Sequence, residues 1–188
     1  NKQALRIGFT GDWNKTKGFN AEGNINVLTD LKVGEGDTYK FYIAEGSAGT
    51  AKVSGAKVTR LSGNLTLNVK KAEETFAKGE FNLDYDHTDA NAKLNCDGKV
   101  NLLVRTEVGE PDGDWHFFLD PATGVSFKVS NSDLDYIKGQ VNFGIEFKSA
   151  QVITGNVNVD YLHKPRPDVS AKGTIDVIAD IQVGELAG

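Results

Sequence analysis

Apolar and polar residues alternate with period two through nearly the whole chain, and helical spacing is almost absent. This pattern gives a strand one apolar and one polar face, so it confines the chain to an all-β fold. Ile25, Val27, Thr29, Leu31 and Val33 stand against Asn24, Asn26, Asp30 and Lys32. Val100, Leu102, Val104, Thr106 and Val108 repeat the arrangement, as do Ile175, Val177, Ala179, Ile181 and Val183. Leu65, Leu67 and Val69, then Phe81, Leu83 and Tyr85, Val141, Phe143, Ile145 and Phe147, and Val157, Val159 and Tyr161 follow the same rule. These apolar positions are the expected core. Leu28, Leu103 and Ile178 break the alternation, which predicts a recurring apolar spot on the outer face under a loop.

The matching segments also recur at a fixed interval. Gly23-Asn-Ile-Asn-Val, Gly98-Lys-Val-Asn-Leu and Gly173-Thr-Ile-Asp-Val are spaced by 75 residues, and Val33-Gly-Glu, Val108-Gly-Glu and Val183-Gly-Glu keep that spacing. Gly63-Asn-Leu-Thr-Leu matches Gly139-Gln-Val-Asn-Phe, and Gly79-Glu-Phe-Asn-Leu matches Gly155-Asn-Val-Asn-Val, each pair 76 apart. The repeats run over about 33–107 and 108–182, with 1–32 equivalent to 76–107 and to 152–182. A period this long exceeds that of single-turn solenoids, so the expected unit is itself multi-stranded.

Gly34-Glu-Gly-Asp, Glu45-Gly-Ser-Ala-Gly and Pro121-Ala-Thr-Gly supply turn chemistry between the runs. Short connections favour antiparallel neighbours. Lys71 to Ala77 and Ser149 to Thr154 are read as loops. The expected fold is an antiparallel β-sandwich or barrel of about 11–12 strands, a tandem duplication of a ~75-residue unit plus a partial third copy, in one continuous body over residues 1–188.

Charge and composition restrict partners. A formal net charge of −5 without a Lys/Arg cluster argues against nucleic acid, and no apolar run reaches the ~18 residues of a helical membrane span. An outer-membrane barrel is disfavoured by the missing aromatic girdle and a mean hydropathy of −0.36. Cys96 is the single cysteine, which excludes an internal disulfide. The absence of Met suggests a processed chain, and Asn14-Lys-Thr and Asn64-Leu-Thr are glycosylation acceptor triplets. These features set the expectation of an extracellular or cell-surface protein.

Reactive constellations are sparse. His87 and His163 end equivalent strands and His116 stands apart, so no triad is expected. Glu110, Asp112 and Asp114 place three carboxylates around a tight turn, a donor set that suits Ca²⁺, whereas the matching turn keeps only Glu35 and Asp37. No cofactor motif occurs. Tyr39, Phe41, Tyr42, Trp115, Phe117 and Phe118 form the densest aromatic strands, a surface on which sugars could stack.

The chain is therefore expected to be a non-enzymatic structural or surface protein that self-associates through strand edges. Two alternatives are a β-barrel binding an apolar molecule and a carbohydrate-binding or adhesive module.

Overall fold

The computed structural model pairs neighbouring segments of the chain antiparallel and forms fourteen strands among its described residues. It describes residues 3–16, 18–36, 38–55, 57–87, 92–108, 113–163 and 165–178. The strands are β1 (Leu5–Asn14), β2 (Gly18–Val27), β3 (Leu31–Glu35), β4 (Tyr39–Ile43), β5 (Ala48–Ser54), β6 (Lys57–Lys71) and β7 (Glu74–Asp86). The chain continues with β8 (Lys93–Leu102), β9 (Thr106–Val108), β10 (Trp115–Leu119), β11 (Gly124–Ser130), β12 (Asp133–Phe147), β13 (Ala150–Leu162) and β14 (Asp168–Val177).

All of them belong to one antiparallel sheet. Ten form a continuous path, β1-β2-β5-β6-β7-β8-β11-β12-β13-β14. The short hairpins β3–β4 and β9–β10 branch from it. The two 15-residue strands make the branching possible: β6 pairs with β5 over its first half and with β4 over its second, and β12 pairs in the same way with β11 and β10.

A hydroxyl closes the ladder at each fork. Ser47 Oγ accepts from the Thr66 backbone N–H at 3.0 Å and donates to the Thr66 carbonyl at 3.4 Å. Thr123 Oγ1 does the same for Asn142, at 2.9 Å in both directions. Ser47 is only 3% exposed, and with Val27 and Ala44 it forms the most enclosed spot of the first fork. The ladder also slips at matching places, between Lys52/Val53 and Lys128/Val129, and between Val69/Lys70 and Ile145/Glu146.

The sheet is open. β1 and β14 lie at opposite ends of the path, so the expected barrel does not close, and every strand among the described residues belongs to the one sheet, which leaves no second sheet there for the expected sandwich. A compact chain of 20.3 kDa exposes about 8,800 Å², whereas this one exposes 12942 Å². Alternation dictates that each strand has an apolar face; it does not dictate what covers that face.

Two local expectations also change. Fourteen strands replace 11–12 because β2 ends at Val27 and β8 at Leu102, with separate strands resuming at Leu31 and Thr106. Leu28, Leu103 and Ile178 lie just past those strand ends, where their amides donate to the carbonyls of Ala4, Phe76 and Val152. The break in alternation thus marks where the chain leaves the ladder. Lys71 to Ala77 is the end of β6, a turn with Ala72 at φ 54, and the start of β7.

Candidate functional site

Register propagates one face across the whole path. Ile7 opposes Ile25, Ile25 opposes Gly49, Gly49 opposes Gly63 and Gly63 opposes Leu83. Leu83 opposes Cys96, Cys96 opposes Val129 and Val129 opposes Leu134, and beyond them Val141 opposes Val157 and Val157 opposes Gly173. The branches add Phe41 and Ile43 beside Val69 and Leu67, and Phe117 and Leu119 beside Ile145 and Phe143. The opposite face carries Asn24, Lys52, Arg60, Asp84, Asn95, Lys128, Lys138, Asn158 and Lys172, among others.

The sheet is thus amphipathic as a whole. Ten strands at ~4.8 Å spacing and a rise of ~3.4 Å over about ten residues give a face of roughly 1,400 Å². The largest apolar patch on a monomeric protein is ordinarily about 300–600 Å². The expected core residues that lie in described strands share this face, but apart from Val27 at the first fork they are not enclosed: Ile25 is 45% exposed and Phe117 53%, and among the described residues no large side chain falls below 2%.

Aromatic rings lie down across glycines on this face. A Cβ on Gly98 would stand 2.6 Å from the Phe81 ring and 2.7 Å from the Phe127 ring, whose centroids are 6.2 Å apart. The rings cover the bare backbone and keep the surface low. Elsewhere the glycines leave a gap. Gly49 and Gly63 oppose each other across β5 and β6 and floor an open hollow of about 240 Å³.

On the polar face two charge clusters support the forks. Lys70 lies 3.7 Å from the Asp30 carboxylate and 4.9 Å from the centre of the Tyr42 ring. Arg105 lies 2.6 Å from Glu146, 3.0 Å from Asp120 and 4.0 Å from the centre of the Phe118 ring. The densest aromatic strands are thereby divided, with Phe41 and Phe117 on the apolar face and Tyr42 and Phe118 beneath cations on the other. They do not form one stacking platform.

The residues singled out for chemistry are scattered. Glu110 and Asp112, with Asp37 of the matching turn, lie outside the described residues. Asp114 accepts from the Lys148 backbone amide at 2.8 Å and has its carboxylate 3.8 Å from Lys148 Nζ. Among the described residues no group of three His, Cys, Asp or Glu side chains is placed to hold a metal ion. His87 and His163 close β7 and β13, where Nδ1 meets the Tyr85 hydroxyl at 3.1 Å and the Tyr161 hydroxyl at 2.9 Å. His116 Nδ1 meets Glu107 Oε1 at 2.5 Å, and that carboxylate holds its pKa above the ordinary value. Cys96 is a free thiol on the apolar face, where burial pushes its pKa up. Asn14 is the exposed last residue of β1 and its triplet runs into the turn that follows, whereas Asn64 lies within β6.

No protein-family model, curated protein or solved structure matches this chain. Among the described residues no helix is long and apolar enough to cross a membrane.

The continuity of the apolar face is what residue-by-residue reading missed. The signal was available in the parity of the strands, together with the absence of any segment patterned as a covering layer.

Proposed function

We propose that this protein is a non-enzymatic platform that holds apolar molecules, of the acyl-lipid class, against one face of an open sheet. The observation that carries the reading is the apolar face of roughly 1,400 Å², which has no second layer among the described residues. An amphipathic sheet must bury its apolar face against something. Hydrocarbon satisfies that need without requiring a hydrogen-bond partner. This reading replaces the closed cavity of a barrel with an open surface. An extracellular or surface setting suits it, and the exposed Asn14 triplet fits that setting.

The test is to incubate the purified protein with phosphatidylcholine–triolein emulsion and separate it by flotation. Co-flotation of the protein with retained lipid is the expected result. A protein that stays monomeric, lipid-free and soluble throughout would overturn the reading.

Edge-mediated self-assembly is a second reading, favoured by the two ends of the path. β1 and β14 are ten-residue strands exposed along their whole length, each with one unpaired edge among the described residues. Because the path has ten alternating strands, pairing β14 of one copy with β1 of the next is antiparallel and keeps the apolar faces on one side. Removal of residues 152–188 should abolish large particles in light scattering.

The tandem duplication belongs to the same proposal. Supporting it are the matched ladder slips, the Ser47 and Thr123 hydroxyls at the two forks, and the equivalent Phe9–Gly23 and Phe81–Gly98 pairings.

A further inference from the structure

Building on that platform reading, we infer that the hollow floored by Gly49 and Gly63 is the seat of a single linear acyl chain. Its walls are Ile25, Val27, Ile43, Leu61, Leu65 and Leu83, and no charged side chain lines it. The polar groups at its margin have partners: the Ser47 hydroxyl with both backbone groups of Thr66, the Ser62 hydroxyl with that of Thr50, and the Asn64 amide nitrogen with the Gly46 carbonyl. A ligand that needs several hydrogen bonds finds little to pair with there, whereas a hydrocarbon loses nothing. At about 240 Å³ the hollow is smaller than the ~300–1,000 Å³ that encloses a drug-sized molecule. It opens onto the apolar face. A chain seated in it therefore continues across neighbouring apolar residues, while a bulky fused-ring ligand exceeds it.

The hollow is specific to one half of the sheet. The matching cross-strand pair in the other half is Val125 opposite Gly139, so a valine side chain stands where Gly49 leaves space. Gly49 can accept that side chain, because a Cβ there would have only the Ser62 carbonyl oxygen near it, at 3.4 Å. Gly63 cannot, because a Cβ there would run into the Ala48 and Gly49 backbone.

Photo-crosslinking with diazirine-labelled palmitic acid, mapped by peptide mass spectrometry, tests the seat. Labelling should concentrate on peptides carrying residues 25–27, 43–49 and 61–65. Gly49→Val should reduce it there at least fivefold and leave labelling near residues 125–159 unchanged. The converse variant Val125→Gly should create a second labelled locus, and it keeps the test decisive if Gly49→Val folds poorly. Uniform labelling along the face, unmoved by either variant, would overturn the seat and leave the platform standing. No labelling anywhere, or a face-to-face dimer that shields the surface, would overturn both.

Discussion

Arg105 and Glu146 form the charge-exchanged counterpart of another pair on the same face. Arg105 Nη1 meets Glu146 Oε1 at 2.6 Å, while about 75 residues earlier Asp30 holds the acidic place and Lys70 the basic one. In both clusters the cation also lies over the aromatic ring of the intervening strand, Phe118 or Tyr42. The arrangement requires opposite charges and does not require a particular order. Lys70→Glu alone should therefore destabilise the fold by about 1 kcal/mol, through loss of the pair and of the ring contact. Adding Asp30→Arg should restore most of that loss, as read from denaturant midpoints.

Ser47 supplies the partner for the Thr66 backbone N–H at the first fork and a second donor to its carbonyl. Ser47→Ala leaves the Thr66 backbone N–H unpaired in the most enclosed part of the sheet, a cost of about 1–3 kcal/mol, while the Thr66 carbonyl keeps its bond from the Ala44 amide at 2.8 Å. Ser47→Thr should be close to neutral, since Thr123 makes the same contacts at the second fork. Thermal denaturation of the two variants separates the lost hydroxyl from a general intolerance of change.

Gly98 has no room for a side chain beneath Phe81 and Phe127. Gly98→Val must lift both rings from the sheet, at about 1–3 kcal/mol. Fluorescence of 1-anilinonaphthalene-8-sulfonate should rise with the substitution as the smooth apolar surface is disrupted; an unchanged signal and an unchanged melting point would refute the ring-over-glycine account.

His116 carries a pH dependence of known sign. Its hydrogen bond to the Glu107 carboxylate raises its pKa above the ordinary 6.5. A folded-state value above the unfolded one means that the folded chain binds the proton more tightly. The contact thus contributes fully below pH 6.5 and fades as pH rises through the raised value. Glu107→Gln should bring the His116 titration midpoint, followed by NMR, down towards the ordinary value. A midpoint unmoved by that substitution would remove Glu107 as the cause.

How far the structure could be read from the sequence follows from what alternation encodes. Leu65, Phe81, Val100 and Val141 share a face because side-chain direction repeats every two residues, a local rule that needs no tertiary information. The sheet's openness is a statement about contacts that do not form, and no short window of sequence carries it. The two branches were missed because Ile25 to Val33 reads as one alternating run, interrupted only at Leu28, where the chain leaves the ladder. Of the acidic turn only Asp114 lies among the described residues, where its carboxylate is 3.8 Å from Lys148 Nζ, a neighbour that sequence spacing does not reveal. The hollow at Gly49 and Gly63 needs the cross-strand register, which brings together two glycines 14 residues apart in the chain.

The single-sheet construction sets how the molecule comes apart. Each strand's main contacts are with the strands it is hydrogen-bonded to, so β6, β7 and β8 are held from two sides while β1 and β14 are held from one. Resistance to opening should accordingly grade inward from the rims, and amide exchange should advance strand by strand in the manner of a fraying textile.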